Sequence, residues 1–63
     1  MIKVVIVDDE KPARNVLVEL LTSFFPDRFE ILDLCESVDE AVVSILTHQP
    51  DIVFLDVQIP HPL

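Results

Sequence analysis

Short apolar runs alternate along this chain with stretches in which apolar residues recur at helical spacing. Runs at 3–7, 30–35 and 51–55 have the length and the β-branched content of strands. The stretches between them place apolar residues three and four positions apart, as one-sided helices do. The pattern predicts an α/β domain with the element order β-α-β-α-β.

Each predicted helix has recognisable ends. The first begins near Pro12, because proline is accepted at the first helical position, and stops at Phe25-Pro26-Asp27. The second opens with a capping box, in which Ser37 bonds forward and Glu40 reaches back, and it stops at Pro50. The expected buried stripes are Ala13, Val16, Leu17, Leu20, Leu21 and Phe24 in the first helix, and Val38, Ala41, Val42, Ile45 and Leu46 in the second.

The strands differ in how much of their surface should be covered. The first is an unbroken apolar run at 4–7, which suits a strand buried on both faces. The second sets Ile31, Asp33 and Cys35 against Leu32 and Leu34, which suits a partly exposed edge strand. We expect the strand order 2-1-3, and if strands two and three lie on either side of strand one, right-handed crossovers put one helix on each face of the sheet. The gap between strands one and three is then the switch point at which such folds bind ligands.

Carboxylates follow both strands that border this gap. Asp8-Asp9-Glu10 ends the first apolar run and Asp56 ends the third. Since carboxyl ends of parallel strands open on one side of the sheet, three or four carboxylates are expected to converge. A bare cluster of that kind is costly, and Mg²⁺ is its natural cation because it combines carboxylates with phosphate oxygens. Asp56 stands alone after its strand, so it is the better placed nucleophile for an acyl phosphate.

Acidic residues in a strand-to-helix loop also serve solubility and the helix dipole. Asp-Asp-Glu by itself would therefore not indicate a site. Two strand-end clusters at one switch point favour a site over that simpler explanation.

Composition narrows the class of protein. The 63 residues are 51% hydrophobic, which argues against disorder, and a net charge of −8 disfavours binding to nucleic acid or anionic membranes. One cysteine, Cys35, and the lack of an apolar run of membrane length suggest a cytoplasmic protein. Glycine is absent, and the segment 59–63 follows a strand with no further element. We therefore expect an incomplete domain.

Two stretches carry a family resemblance. Val5-Ile6-Val7-Asp8-Asp9-Glu10 and Val53-Phe54-Leu55-Asp56-Val57-Gln58-Ile59-Pro60 resemble the two characteristic motifs of response-regulator receiver domains from two-component signalling. The resemblance implies a flavodoxin-like doubly wound parallel sheet, of which residues 1–63 are the N-terminal half. Pro12-Ala13-Arg14 and Glu40-Ala41-Val42 are similar to the LytTR-type branch, whose receivers precede a DNA-binding domain.

The resemblance also implies roles for individual residues. Asp56 would accept a phosphoryl group from a sensor histidine kinase and share in binding Mg²⁺. Asp9 would ligate the metal directly, and Asp8 would act through a metal-bound water or by tuning the local field. Gln58 would offer its backbone carbonyl to the metal, and Pro60 would shape the loop after the phosphoacceptor.

Other family features have no counterpart in this chain. The Ser or Thr after the fourth strand and the Lys after the fifth are missing, since Lys3 and Lys11 stand elsewhere. A truncated, inactive remnant that folds by association is therefore an alternative. A phosphohydrolase with an aspartyl-phosphate intermediate is a weaker one, because neither aspartate motif has the D-x-D spacing of dehalogenase-like phosphatases.

The remaining polar residues have plainer interpretations. His48 should complement the helix dipole from an exposed position, His61 should be a tail residue, and Cys35 should be an inert, half-buried thiol. Lys11 and Arg14 are expected to balance local charge rather than dock a kinase. The third strand, apolar on both faces with nothing to cover its outer edge, predicts a homo-oligomer formed through that edge.

Overall fold

The strands pair in parallel around a central first strand. The computed structural model describes residues 1–57. Its elements are β1 (Ile2–Asp8), α1 (Lys11–Phe24), β2 (Phe29–Cys35), α2 (Val38–His48) and β3 (Ile52–Asp56). The sheet order is β2-β1-β3, with both pairings parallel. The predicted α/β class, element order and strand order are confirmed.

The core is built on both faces of β1, whose residues 4–7 are all but inaccessible to solvent. On one face Val5 and Val7 pack with Cys35 of β2 and Ala41 of α2. On the other face, Val4, Ile6 and Leu21 of α1 form a second cluster. Because successive side chains of a strand point to opposite faces, this single run supports both helices. The prediction that the helices cover opposite faces is confirmed.

The predicted stripe of α1 is only partly buried. Leu21 is buried and Leu17 packs against the core, but Val16, Leu20 and Phe24 are exposed. The helix lies over β1 and β2 and not over β3 in the described part of the chain. Its side turned towards β3 therefore has no cover, and the prediction for those three residues is wrong.

The stripe of α2 departs from prediction in the same way. Ala41 is buried and Ile45 packs against the core, whereas Val42 and Leu46 are exposed, as is Val38. A polar residue, Ser44, is buried instead. Like α1, this helix packs on β1 and β2, so the residues that it buries are those that face these two strands.

A bulge interrupts the alternation predicted for β2. Val4 pairs with Ile31 but Val5 pairs with Asp33, so Leu32 is an extra residue in β2. Ile31 packs on the α1 side and Leu32 on the α2 side, the side of Asp33 and Cys35. The predicted grouping of Ile31 with those two residues is wrong, because an inserted residue shifts the alternation by one.

The ends of α2 show how this chain caps a helix without glycine. Ser37 Oγ accepts a hydrogen bond from the Glu40 backbone N–H at 3.2 Å, which confirms the forward half of the capping box. The return bond differs, since Glu40 Oε2 accepts from the N–H of Glu36 rather than of Ser37. At the other end, Gln49 adopts a left-handed conformation with φ 49° and donates its N–H to the Ile45 carbonyl. Glutamine here occupies a position that glycine usually takes.

A polar contact joins β2 to α2. Ser44 Oγ donates to Asp33 Oδ2 at 2.6 Å, and His48 Nε2 lies 4.0 Å from the same oxygen. The Ser44 hydrogen bond is the main reason that the pKa of Asp33 is lowered, with the Leu34 N–H acting in the same direction and burial opposing it. Burial raises the pKa of the Cys35 thiol, which fits the prediction of an inert cysteine, although the residue is fully buried rather than half-buried.

The Ser44 contact should make stability depend on pH. A carboxyl group whose pKa is lowered by folding stabilises the protein above its ordinary pKa of 3.8 and loses that effect as the pH falls through the folded value. We expect Ser44→Ala to lower the free energy of unfolding by about 1 kcal/mol at neutral pH, a modest value because Asp33 is partly exposed. The difference in the free energy of unfolding between the variant and wild type should shrink as the pH falls below 3.8. Urea unfolding at neutral pH and at a pH below that value measures the difference.

Thr47→Ala is the matched control for that change. The Thr47 hydroxyl donates to the Val43 carbonyl within the helix and not to a carboxylate. Its effect on stability should be small and the same at both pH values. A Ser44→Ala effect that persists unchanged in acid would contradict the role given to Asp33.

Candidate functional site

Two of the predicted carboxylates lie side by side at the carboxyl edge of the sheet. Asp8 and Asp56 are register partners at the ends of β1 and β3, on strands about 4.8 Å apart. Asp8 is buried, with 9% of its surface exposed, whereas Asp56 is exposed. Asp56 is the last residue of its strand rather than the first residue after it. The parallel pairing therefore brings the two aspartate motifs together, as the strand order predicted.

The loop that carries Asp8 and Asp9 is held by two hydrogen bonds. The Glu10 N–H donates to Asp8 Oδ1 at 2.9 Å, and Arg14 Nη1 donates to the Asp8 carbonyl oxygen at 2.6 Å. Asp9 lies in the bend between β1 and α1 with its side chain exposed. Sequence reasoning missed the Arg14 contact, since it gave this residue only a role in local charge balance. The signal available was its position one turn into a helix that starts directly after the acidic loop.

Both aspartates line a groove of about 440 Å³ beside α1. Asp8 and Asp56 form its polar part, and apolar side chains from β1, α1 and β3 form the rest, among them the exposed Val16, Leu20 and Leu55. The Asp56 carboxylate is thus open to an incoming group. The apolar wall next to it belongs to the side of α1 that the sheet leaves uncovered.

The structure describes some of the predicted metal ligands and not others. Asp8, Asp9 and Asp56 are described, while Gln58 lies outside the described residues, as do Pro60 and His61. Within residues 1–57, no group of three or more His, Cys, Asp or Glu side chains is arranged to hold a metal ion. Magnesium needs fewer, because it keeps several waters and is usually bound through one or two carboxylates together with substrate phosphate. Two adjacent strand-end carboxylates fit that requirement, and the full ligand set stays a prediction.

A larger groove, of about 570 Å³, lies between β2 and α2 and is not the candidate site. Its lining includes Asp33, Cys35, Ser44 and His48. These groups interact mainly with one another, through the hydrogen bonds to Asp33 and the approach of His48 to the same carboxylate. Such satisfied polar groups stabilise the packing of α2 on β2. The larger groove also has carboxylates, those of Asp33, Asp39 and Glu40. The smaller groove is chosen because its two carboxylates, Asp8 and Asp56, are register partners at the carboxyl ends of neighbouring parallel strands, where such sheets bind their ligands.

Two further predictions concern the surface of this segment. Within the described residues, neither helix has the length and apolar character needed to cross a membrane. The outer edge of β3 has no partner strand in residues 1–57, and Leu55 at that edge is largely exposed. Association of two copies through β3 stays a prediction.

Comparison with known proteins shows clear relatives. The chain is 47% identical over 60 residues to an uncharacterized response regulatory protein of Yersinia pestis and 45% identical to the transcriptional regulatory protein BtsR of Salmonella typhi; each alignment covers 95% of this chain and 24% of the relative. The sensory transduction protein LytT of Bacillus anthracis is 41% identical over 59 residues, which cover 94% of this chain and 23% of that protein. No family model and no solved structure matches.

The chain spans about a quarter of the length of the curated relatives it matches. The name LytT agrees with the resemblance to the LytTR-type branch. Identity over nearly the whole chain, together with the parallel β2-β1-β3 sheet, confirms that this protein is a relative of the response regulators of two-component signalling, as its two aspartate motifs predicted.

Proposed function

We propose that this chain is the phosphoacceptor part of a two-component response regulator, which takes a phosphoryl group onto Asp56 in the presence of Mg²⁺. One observation carries the proposal. The exposed carboxylate of Asp56 lies at the end of β3 in register with the buried Asp8 of β1. This arrangement offers a nucleophile and a neighbouring cation ligand at the edge where parallel α/β sheets bind their ligands.

The transfer is a displacement at phosphorus. An Asp56 carboxylate oxygen forms a bond to phosphorus as the bond from phosphorus to the donor nitrogen of a phosphohistidine breaks, which leaves an acyl phosphate and a free imidazole. Asp8 and Asp9 would hold Mg²⁺ beside Asp56, with the Gln58 carbonyl as a further ligand. Bound there, Mg²⁺ supplies neutralisation of the charge on the phosphoryl oxygens.

The partner in this proposal is a sensor histidine kinase, and the reaction takes place in the cytoplasm. The formal charge of −8 disfavours direct contact between this segment and nucleic acid. BtsR is named a transcriptional regulatory protein, and this chain corresponds to about a quarter of it. We therefore assign no DNA binding to residues 1–63.

Intact mass spectrometry after incubation with acetyl phosphate tests the proposal. We expect the protein to gain the mass of one phosphoryl group with Mg²⁺ present and none with excess chelator, since the carboxylates need a cation to accept an anionic donor. No gain with Mg²⁺ would favour the inactive alternative. A gain that survives chelation would contradict the role of the metal, and sustained release of phosphate from a simple phosphomonoester would favour a phosphohydrolase.

A further inference from the structure

Arg14 connects helix α1 to the backbone of the acidic loop. Its guanidinium Nη1 donates a hydrogen bond of 2.6 Å to the carbonyl oxygen of Asp8, the last residue of β1. Its own backbone N–H donates to the Glu10 carbonyl at 3.1 Å. The backbone bond is the first i→i−4 bond of α1, which any residue other than proline would make, so the anchor that depends on arginine is the side-chain bond to Asp8. The side chain is half-buried, so this hydrogen bond is partly shielded from water.

The choice of acceptor is informative. A guanidinium beside several carboxylates would ordinarily form an ion pair with one of them. Within residues 1–57 Arg14 forms no salt bridge and bonds instead to a backbone carbonyl. The loop is thereby restrained without an ion pair between Arg14 and its carboxylates, and among these Asp8 accepts a hydrogen bond from the Glu10 N–H at Oδ1 only.

We propose that Arg14 is a positioning residue for the cation site: its hydrogen bond to the Asp8 carbonyl restrains the loop so that Asp8 and Asp9 present their carboxylates beside Asp56. This inference rests on the proposed function. It assigns Arg14 an effect on affinity for a divalent cation, and no direct contact with the phosphoryl group.

The charge of Arg14 and its hydrogen bond should act on cation affinity in opposite directions. A positive side chain near the site repels a divalent cation, so removing its charge by itself should tighten binding. Loss of the restraint on the loop should weaken binding, because the ligands must then be ordered when the cation binds. The sign of the change therefore distinguishes a positioning role from a purely electrostatic one.

Lys11 provides the matched control. It is also cationic, lies in the first turn of α1, and is exposed. Among the described residues its side chain makes no hydrogen bond to the acidic loop. We would compare Arg14→Met and Lys11→Met, since methionine retains an unbranched apolar stem and removes both charge and donors.

The experiment measures direct Mn²⁺ binding to the purified protein by electron paramagnetic resonance, without a phosphodonor. A second readout is the Mg²⁺ dependence of phosphorylation by acetyl phosphate. We expect Arg14→Met to raise the dissociation constant for Mn²⁺ and the half-saturating Mg²⁺ concentration about tenfold, with an unchanged maximal rate. Lys11→Met should leave both unchanged or lower them.

Several outcomes would overturn the inference. Equal or tighter Mn²⁺ binding by Arg14→Met, in step with Lys11→Met, would show that Arg14 acts only through its charge. A fall in maximal rate at saturating Mg²⁺ would place Arg14 in the transfer step itself. Circular dichroism checks folding, and Arg14→Leu, which also lacks charge and donors, replaces the methionine variant if that variant does not fold.

Failure of the proposed function has a different signature. If wild type binds Mn²⁺ but is never phosphorylated, the phosphoacceptor proposal fails while the cation measurements still decide the role of Arg14. If wild type binds no divalent cation, the positioning role is refuted together with the metal site.

Discussion

The Asp56→Asn protein is expected to gain no phosphoryl group from acetyl phosphate and Mg²⁺ under conditions in which wild type gains one. An amide oxygen is not a nucleophile of comparable strength, and the variant cannot form an acyl phosphate. Asp56 is exposed at the end of β3, so the substitution removes no buried interaction and the fold should persist. Intact mass spectrometry measures the gain, and circular dichroism measures the fold.

Asp51→Asn is the matched control, because Asp51 lies just before the same strand at its opposite end. Its Oδ2 accepts a hydrogen bond from the Lys3 backbone N–H at 2.8 Å. The control should be phosphorylated as wild type is and lose up to about 1 kcal/mol of stability. Phosphorylation retained in Asp56→Asn would move the phosphoacceptor to another carboxylate, and loss in both variants would point to a defect in folding.

Ile6→Ala should have the largest effect on stability. Ile6 lies at the centre of β1 with 1% of its surface exposed and packs against Val4 and Leu21. Truncating such a side chain removes its burial and leaves a cavity, at a cost of about 2–5 kcal/mol. A domain of this size has a total stability of about 3–9 kcal/mol, so the substitution would remove a large share of it. Urea unfolding followed by circular dichroism measures the loss.

Leu46→Ala is the control for that prediction. It removes the same number of carbon atoms from a side chain that is 74% exposed. Its effect should stay within about 0.5 kcal/mol, as for most surface substitutions. Equal losses in the two variants would show that Leu46 is covered in the protein in solution and that the packing described around β1 does not dominate stability.

The candidate site could be located from the sequence because its geometry follows from the topology. With β1 between β2 and β3, right-handed crossovers place the two helices on opposite faces, and parallel pairing places Asp8 beside Asp56. Neither step needs a side-chain distance. What could not be predicted is the acceptor of Arg14, since it is a backbone carbonyl and any residue at position 8 would supply one.

The apolar stripes of the two helices show which part of burial cannot be predicted from the spacing of apolar residues. The spacing of apolar residues correctly placed Leu21 and Ala41 in the core, but it treated Val16 and Val42 as equivalent to them. Periodicity reports which residues share a face of a helix. It does not report how wide a surface the neighbouring strands present, and in the described residues that surface is made by β1 and β2.

By itself, the sequence determined the elements, their order, the parallel β2-β1-β3 sheet and the pairing of the two aspartate motifs, because strand and helix periods are local and crossover handedness is general. Only the tertiary structure decided the bulge at Leu32, the burial of Ser44 against Asp33 and the restraint of the acidic loop by Arg14. Each of these depends on the position and orientation that one side chain or strand takes relative to another. No local pattern encodes that relation, since it is set when the helices pack on the sheet.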